Sequence, residues 1–133
     1  MKKVFILSLI LLAIIPVLFS QIYYTVPYSD EVTIVTNSGV VTDHAEDGPY
    51  ANGANGNLII RPDTLGKYIQ LTFTEFDVEG INDYLSIYSG DTAKPSLLIQ
   101  QFSSNPGTVT SAHFTGSVTL KFYSNATYAA NGF

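Results

Sequence analysis

Apolar residues recur at every second position in this chain, and that period sets the backbone geometry before anything else is considered. In IQLTFTEF (residues 69–76), Ile69, Leu71 and Phe73 fall on one side of an extended strand and Gln70, Thr72 and Thr74 on the other. In DYLSIYSG (83–90), Leu85 and Ile87 alternate with Tyr84, Ser86 and Tyr88. In SVTLKFYSN (117–125), Val118, Leu120 and Phe122 alternate with Thr119, Lys121 and Tyr123. A helix would scatter these residues around its circumference, whereas a strand sorts them into a buried and a solvated face. Shorter runs of the same character are EVTIVT, NLIIRP, SLLIQQF and VTSAHF. Between the runs lie GPYANGANG, RPDTLGK, SGDTAKP, SSNPGT and SNATYAANG, whose Gly, Pro, Asn and Asp residues favour turns. Short strands with one apolar face each predict an all-β fold, a small antiparallel β-sandwich of jelly-roll type. No internal repeat interrupts the pattern, and residues 21–36 read as a leading strand or a linking segment.

The start of the chain is different in kind. MKKVFILSLILLAIIPVLFS has two lysines, an unbroken apolar run and Ser20 before Gln21. This layout predicts a secretory signal peptide over residues 1–20, because the apolar run is short for a membrane anchor and no stop-transfer flank follows it. Its removal leaves 113 residues, one domain's worth, with four basic residues against eleven acidic ones and a net charge of −7. An acidic chain without basic clusters argues against nucleic acid or an anionic membrane as partner, and favours cations or basic protein segments. With no cysteine in the sequence, an exported chain has no disulfide framework. Nine tyrosines and eight phenylalanines supply the apolar area that a core needs instead.

Against this low charge, FTEFDVEGINDYLSIYSG places Glu75, Asp77, Glu79 and Asp83 within nine positions between two strand-like runs. Three chemistries suit such a cluster: a solvated turn, a pair of catalytic carboxylates, or oxygen ligands for a hard cation. A glycoside hydrolase would use two of the four as acid and nucleophile, about 5 to 10 Å apart, one of them in apolar surroundings that raise its pKa. Carboxylates on a tight turn are poorly placed for that, and the chain has no GxSxG elbow for a serine nucleophile. A zinc site is disfavoured too, since His44 and His113 are far apart in sequence and no cysteine joins them.

Three segments in order resemble the CUB domain in its cysteine-free form from secreted bacterial proteins. DHAEDGPYANGANGNLIIRP is similar to that family's Gly-rich turn and following strand. FDVEGINDYLSIYSG is similar to its central acidic signature, and VTLKFYSNATYAANGF to its closing segment. The resemblance runs from near Val40 to the end of the chain. It departs from the family in lacking cysteines, in a short loop between Glu79 and Asp83, and in Asn125 where many relatives carry Asp. The sequence stops at Gly132-Phe133, where the family continues into one more strand. The expectation is therefore a domain over residues 37–133 whose last strand is missing, a fragment of a longer secreted or surface protein.

The resemblance also implies a calcium site. Glu79 and Asp83 match the family's central acidic ligands, Asn125 and Thr127 match ligands of its closing segment, and Tyr50 matches a tyrosine that orients the carboxylates. Asp43 lies in the same neighbourhood by order. Calcium accepts six to eight oxygens from carboxylates, amides, backbone and water, and every candidate offers oxygen. With a neutral amide at position 125 the site holds two formal charges, which implies a dissociation constant on the order of 10⁻⁴ to 10⁻³ M, typical of extracellular modules. The function implied is a non-catalytic extracellular module that binds a protein or glycan, a basic side chain of the partner docking on the acidic loops. Tyr84, Tyr88 and Tyr123, on the polar side of their strands, are candidate partner contacts. A carbohydrate-binding module shares the sandwich, the cation and the aromatic face, and stands as the alternative. Asn125-Ala126-Thr127 also has the form of a glycosylation sequon.

Overall fold

Pairing the alternating runs satisfies their backbone groups and buries their apolar sides at once. The computed structural model describes residues 20–133, so all of the expected signal peptide except Ser20 lies outside the described residues. In chain order the strands are β1 (Tyr23–Thr25), β2 (Glu31–Thr36), β3 (Val40–Thr42), β4 (Asn55–Pro62), β5 (Gln70–Thr72), β6 (Tyr84–Ser89), β7 (Leu98–Phe102), β8 (Thr108–Thr110) and β9 (Val118–Tyr123). One turn of 3-10 helix, Pro95–Leu97, precedes β7.

Five strands form the larger layer in the order β2-β4-β9-β6-β7. Its register sets Leu58 opposite Leu120 and Leu120 opposite Ile87, with Gly56, Phe122 and Leu85 one step along. The inner-face side chains Leu58, Ile60, Leu85, Ile87, Val118, Leu120 and Phe122 are all buried, as the period-two pattern requires. The second layer consists of two separate pairs, β1-β3 and β5-β8. Val26, Tyr50, Val78 and Val109 join the core from this side, with Ile69, Leu71, Phe73, Phe76 and Phe133 packed against it. The result is the expected sandwich. Two of its strand pairs, β1-β3 and β2-β4, run parallel, a detail that strand periodicity cannot reveal because it fixes faces and not directions.

The N-terminal segment is an integral part of both layers. β2 is an edge strand of the larger sheet, and β1 flanks β3 in the smaller one. Between them, residues 26–30 cross the start of β4, where Asn55 donates to the Tyr28 carbonyl at 2.8 Å and Asn57 to that of Asp30 at 2.8 Å. Gly56 is required at this crossing, because a Cβ there would overlap the Pro27 carbonyl.

β3 and β5 face each other across an opening in the second layer, since each pairs with another strand on its far side only. A cavity of about 440 Å³ lies in it, bordered by Val40–Thr42, Gln70–Glu75, Leu120 and Phe133. A second cavity of about 260 Å³ continues it toward Ile34, Ile60 and Tyr68, sharing Val41 and Leu71 with the first.

Candidate metal centre

Three loops meet around the Asp83 carboxylate. Asp83 sits immediately before β6 and is 1% exposed, although it carries a charge. Its Oδ2 accepts a 2.6 Å hydrogen bond from the Tyr50 hydroxyl, and its Oδ1 accepts one of 2.7 Å from the Asn125 amide. Tyr50 is brought there by its ring, which packs edge-on against Phe122 with centroids 4.9 Å apart, and by its own amide, which donates to the Ala130 carbonyl. The same hydroxyl accepts from the Glu79 amide at 2.9 Å. One phenol oxygen thus joins the loop before β4 to both ends of the Glu79–Asp83 loop. Burial, and then the bond to Asp83, push the Tyr50 hydroxyl pKa from 10.0 to about 12.

Glu79 and Asn125 complete the arrangement from either side. The Glu79 carboxylate accepts from the Asn82 amide at 3.1 Å, so it is folded over its own loop. The Asn125 side-chain carbonyl accepts from the Thr127 amide at 2.8 Å and from its hydroxyl at 3.4 Å. Tyr50, Glu79, Asp83, Asn125 and Thr127 are therefore brought together by a continuous set of hydrogen bonds. Asp43 is not part of it. That residue is 2% exposed, and its carboxylate accepts from the Ala45 amide at 2.7 Å and the Phe133 amide at 3.1 Å.

The donor chemistry suits a hard cation. All the side-chain atoms on offer are oxygens, and a carboxylate that accepts two hydrogen bonds keeps lone pairs for a metal. Among the described residues the single ion pair is Arg61 with Asp91, 3.2 Å apart on the surface, so no cationic side chain offsets the buried Asp83 charge. A buried charge with hydrogen bonds but no counter-ion is costly, and a bound cation would relieve that cost. Among the described residues no three His, Asp or Glu side chains gather into a metal cage. A site here would combine two carboxylates with the neutral oxygens of Asn125 and Thr127, backbone and water.

The remaining candidates separate. Asp77 accepts from the Asn131 amide and side chain at 3.2 and 2.9 Å, and Glu75 borders the cavity between β3 and β5. The four carboxylates of the acidic stretch thus engage different partners. Tyr84 and Tyr123 stack on the outer face of the larger sheet, centroids 5.1 Å apart and planes 21° from parallel. Tyr88, on the same face, is only 8% exposed, between Leu98 of β7 and Thr119 of β9, and offers little area to a partner. His44 accepts the Ala51 amide on Nε2 at 2.9 Å and packs edge-on against Tyr28.

Ser124 matters here although its sequence context gives little sign of it. Its hydroxyl donates to the Ala51 carbonyl at 2.8 Å and accepts from the Ala54 amide at 2.9 Å. Gly53 donates to the Asn125 carbonyl at 2.7 Å. These bonds lock the Tyr50 loop to the Asn125 loop. A serine beside an Asn in a turn reads as ordinary turn chemistry, and only its burial reveals the role.

The family model described as CUB domain matches residues 30–133. Among solved structures, the full extracellular region of zebrafish Gpr126/Adgrg6 is similar at 20% identity and a TM-score of 0.62, over 77% of this chain and 14% of that one. The CUB1-EGF-CUB2 domains of rat MASP-1 are similar at 19% identity and a TM-score of 0.63, over 77% of this chain and 37% of that one. At these identities the two structures speak to the fold. No curated protein matches the chain. The family match covers well over half of the sequence, from the start of β2 through every loop around Asp83, and the chain belongs to the CUB domain family.

Proposed function

We propose that this protein is a non-catalytic extracellular interaction module whose acidic loops are ordered by calcium and receive a basic side chain of a protein partner. The observation that carries the reading is the buried Asp83 carboxylate, held by Tyr50 and Asn125 with no cationic side chain paired to it among the described residues. Glu79, Asp83, Asn125 and Thr127 would hold the ion, with Tyr50 fixing the orientation of Asp83. The ion supplies positive charge and rigidity. The chain's own residues position the loops, and the charge of Glu79 and of the overall acidic surface attracts the partner's amine. On this reading the N-terminal apolar segment directs export of the module.

Thermal melting in calcium against chelator tests this. With a dissociation constant on the order of 10⁻⁴ to 10⁻³ M, 10 mM calcium stabilises the native state by about 1.4 to 2.7 kcal/mol. For a domain of this size that is a rise of about 5 to 15 °C in melting temperature. An identical curve in both conditions refutes the metal reading, and loss of the shift in Asp83→Asn assigns it to this site.

A second reading, binding of a glycan, is favoured by the stacked Tyr84 and Tyr123 rings, which offer a flat apolar platform on the outer face of the larger sheet. A glycan array separates the two readings, since sugar binding that survives chelation would place recognition on that face.

A further inference from the structure

The loops at the two ends of the sandwich differ in charge, and the most exposed apolar side chains are divided between them. At one end β4 closes and β9 opens, with Ile60 opposite Val118, and β6 closes there too, with Ser89 opposite Val118. This end carries Arg61, Lys67 and Lys94, three of the four basic side chains among the described residues, against Asp63 and Asp91. The other end holds the loops 43–54, 77–83 and 124–131 around Asp83, which together contain six Asp and Glu and no Lys or Arg. Among the described residues four large apolar side chains exceed all others in exposure. Leu65 at 100% and Phe114 at 86% stand at the basic end, Ile81 at 85% and Tyr128 at 81% at the acidic end.

Local bonds fix both tips. Leu65 lies in a turn closed by the Lys67 amide on the Thr64 carbonyl, and Phe114 in one closed by the Gly116 amide on the His113 carbonyl. The two turns touch: the Gly116 carbonyl accepts from the Ile69 amide at 2.8 Å, and a Cβ on Gly116 would overlap the Lys67 carbonyl. The His113 ring lies against that of Phe114, centroids 4.3 Å apart, and Gly90, at the start of the Lys94 loop, adjoins His113. At the acidic tip, Ile81 lies between Glu79 and Asp83, and Tyr128 follows Thr127 in the loop that Asp83 ties through the Asn125 amide. Pairs of solvated apolar side chains on fixed turns mark a contact surface. The ends are separated by the length of the six-residue β6, about 20 Å, so one copy cannot bring its own tips together.

We propose that copies of this chain associate head to tail, the basic tip at Leu65 and Phe114 of one copy seated on the acidic tip at Ile81 and Tyr128 of the next, with Lys67 and Lys94 toward the Glu79 loop. Opposite charge selects the orientation, since two acidic tips repel, and the four apolar side chains supply the burial. The contact joins unlike surfaces, so each added copy leaves a further tip open and the assembly grows unless it closes into a ring. An interface made of loop tips falls in the small class, under about 1,200 Å², and its association is weak and concentration-dependent. The inference rests on the reading that the acidic loops receive a basic side chain, and it names a second copy of the chain as the source.

The test is sedimentation velocity of the mature chain in calcium, from about 0.01 to about 1 mM protein. The weight-average mass is expected to rise at least about 1.5-fold over that range and to fall back toward the monomer in about 0.5 M salt. Leu65→Asp with Phe114→Asp blocks the basic tip, and Ile81→Lys blocks the acidic one. Each variant alone is expected to stay monomeric, and an equimolar mixture of the two to form a one-to-one dimer and nothing larger, because one intact tip of each kind remains. If either variant fails to fold, Lys67→Glu with Lys94→Glu, or Tyr128→Lys, replaces it. A natural chain that stays monomeric, a blocked variant that associates alone, or a mixture that stays monomeric overturns the proposal. So does binding of the natural monomer to phosphatidylserine vesicles that the Leu65→Asp, Phe114→Asp variant lacks, since a lipid surface would then occupy the basic tip. A monomeric chain whose melting temperature still rises with calcium refutes the second copy alone and leaves the proposed function with a foreign partner.

Discussion

Tyr50→Phe isolates the contribution of one oxygen atom. The substitution keeps the ring and its edge-on packing against Phe122, so no large cavity forms. It removes the 2.6 Å donor to the Asp83 carboxylate and the acceptor of the Glu79 amide. Losing a hydrogen bond to a buried charge costs about 1.5 to 3 kcal/mol, and the half-buried Glu79 amide adds up to about 1 because water can reach it. A loss of about 2 to 4 kcal/mol follows, or roughly 8 to 20 °C in melting temperature for a domain of this size. The assay is urea unfolding in chelator, where the midpoint should fall with an unchanged slope. Asp83→Asn supplies the second arm of a double-mutant cycle. If the hydroxyl acts through the carboxylate, Tyr50→Phe costs clearly less in the Asp83→Asn background, with a coupling of about 1 to 2 kcal/mol. A loss below about 0.5 kcal/mol, or simple additivity of the two substitutions, would refute the reasoning. The natural protein gives an independent check, because the Tyr50 pKa is raised from 10.0 to about 12. The native state then holds a proton that the unfolded state releases first. This contribution to stability is intact below pH 10 and declines as pH rises toward 12.

Two further outcomes follow from single contacts. Gly132→Ala should cost about 2 to 3 kcal/mol in urea unfolding, because φ is +85° and a Cβ would overlap Asp43 Oδ2, forcing the Asp43–Phe133 pair apart. His44 has a pKa lowered chiefly by burial, with Asp43 opposing, so the unfolded state takes up a proton first as pH falls from 6.5. Stability supplied by the neutral ring is complete above that pH and is lost below it, so the melting temperature should fall between pH 7 and pH 5 more in the natural protein than in His44→Gln.

The fold was legible where residues alternate and obscure where pairing depends on distant partners. Leu85, Ile87, Val118, Leu120 and Phe122 lie on the inner face that their spacing predicts. IQLTFTEF reads as a long strand, yet only Gln70–Thr72 forms one. Past Thr72 the chain bends so that Phe73 and Phe76 can pack with Phe133, a tertiary contact stronger than local strand preference. The family match begins at residue 30, ten residues before the resemblance visible at Val40, because β2 carries little besides an unremarkable EVTIVT. At the site, hydrogen bonds link Tyr50, Glu79, Asp83, Asn125 and Thr127, the residues that the family resemblance named. The placing of Asp43 and the burial of Tyr88 were hidden, since nothing in the sequence specifies which donor a carboxylate meets or which strand covers a ring.

The acidic residues of this charge-poor but acidic chain also answer a structural need that its composition raises. With no disulfide available, the segment from Asn125 to Phe133 must be fastened by other means, and three buried or half-engaged carboxylates fasten it. Asp83 holds the Asn125 amide, Asp77 holds the Asn131 amide and side chain, and Asp43 holds the Phe133 amide. Amide groups and hard cations seek the same oxygen atoms, which is why a cluster read from sequence does not separate ligands from ties. The partners of the three carboxylates differ. Asp43 and Asp77 are engaged at the Phe133 end of the segment, whereas Asp83 is held at its start by the Tyr50 phenol and the Asn125 amide. Of the three ties, it is the one that a phenol hydroxyl also holds, and it is there that the proposed calcium site is centred.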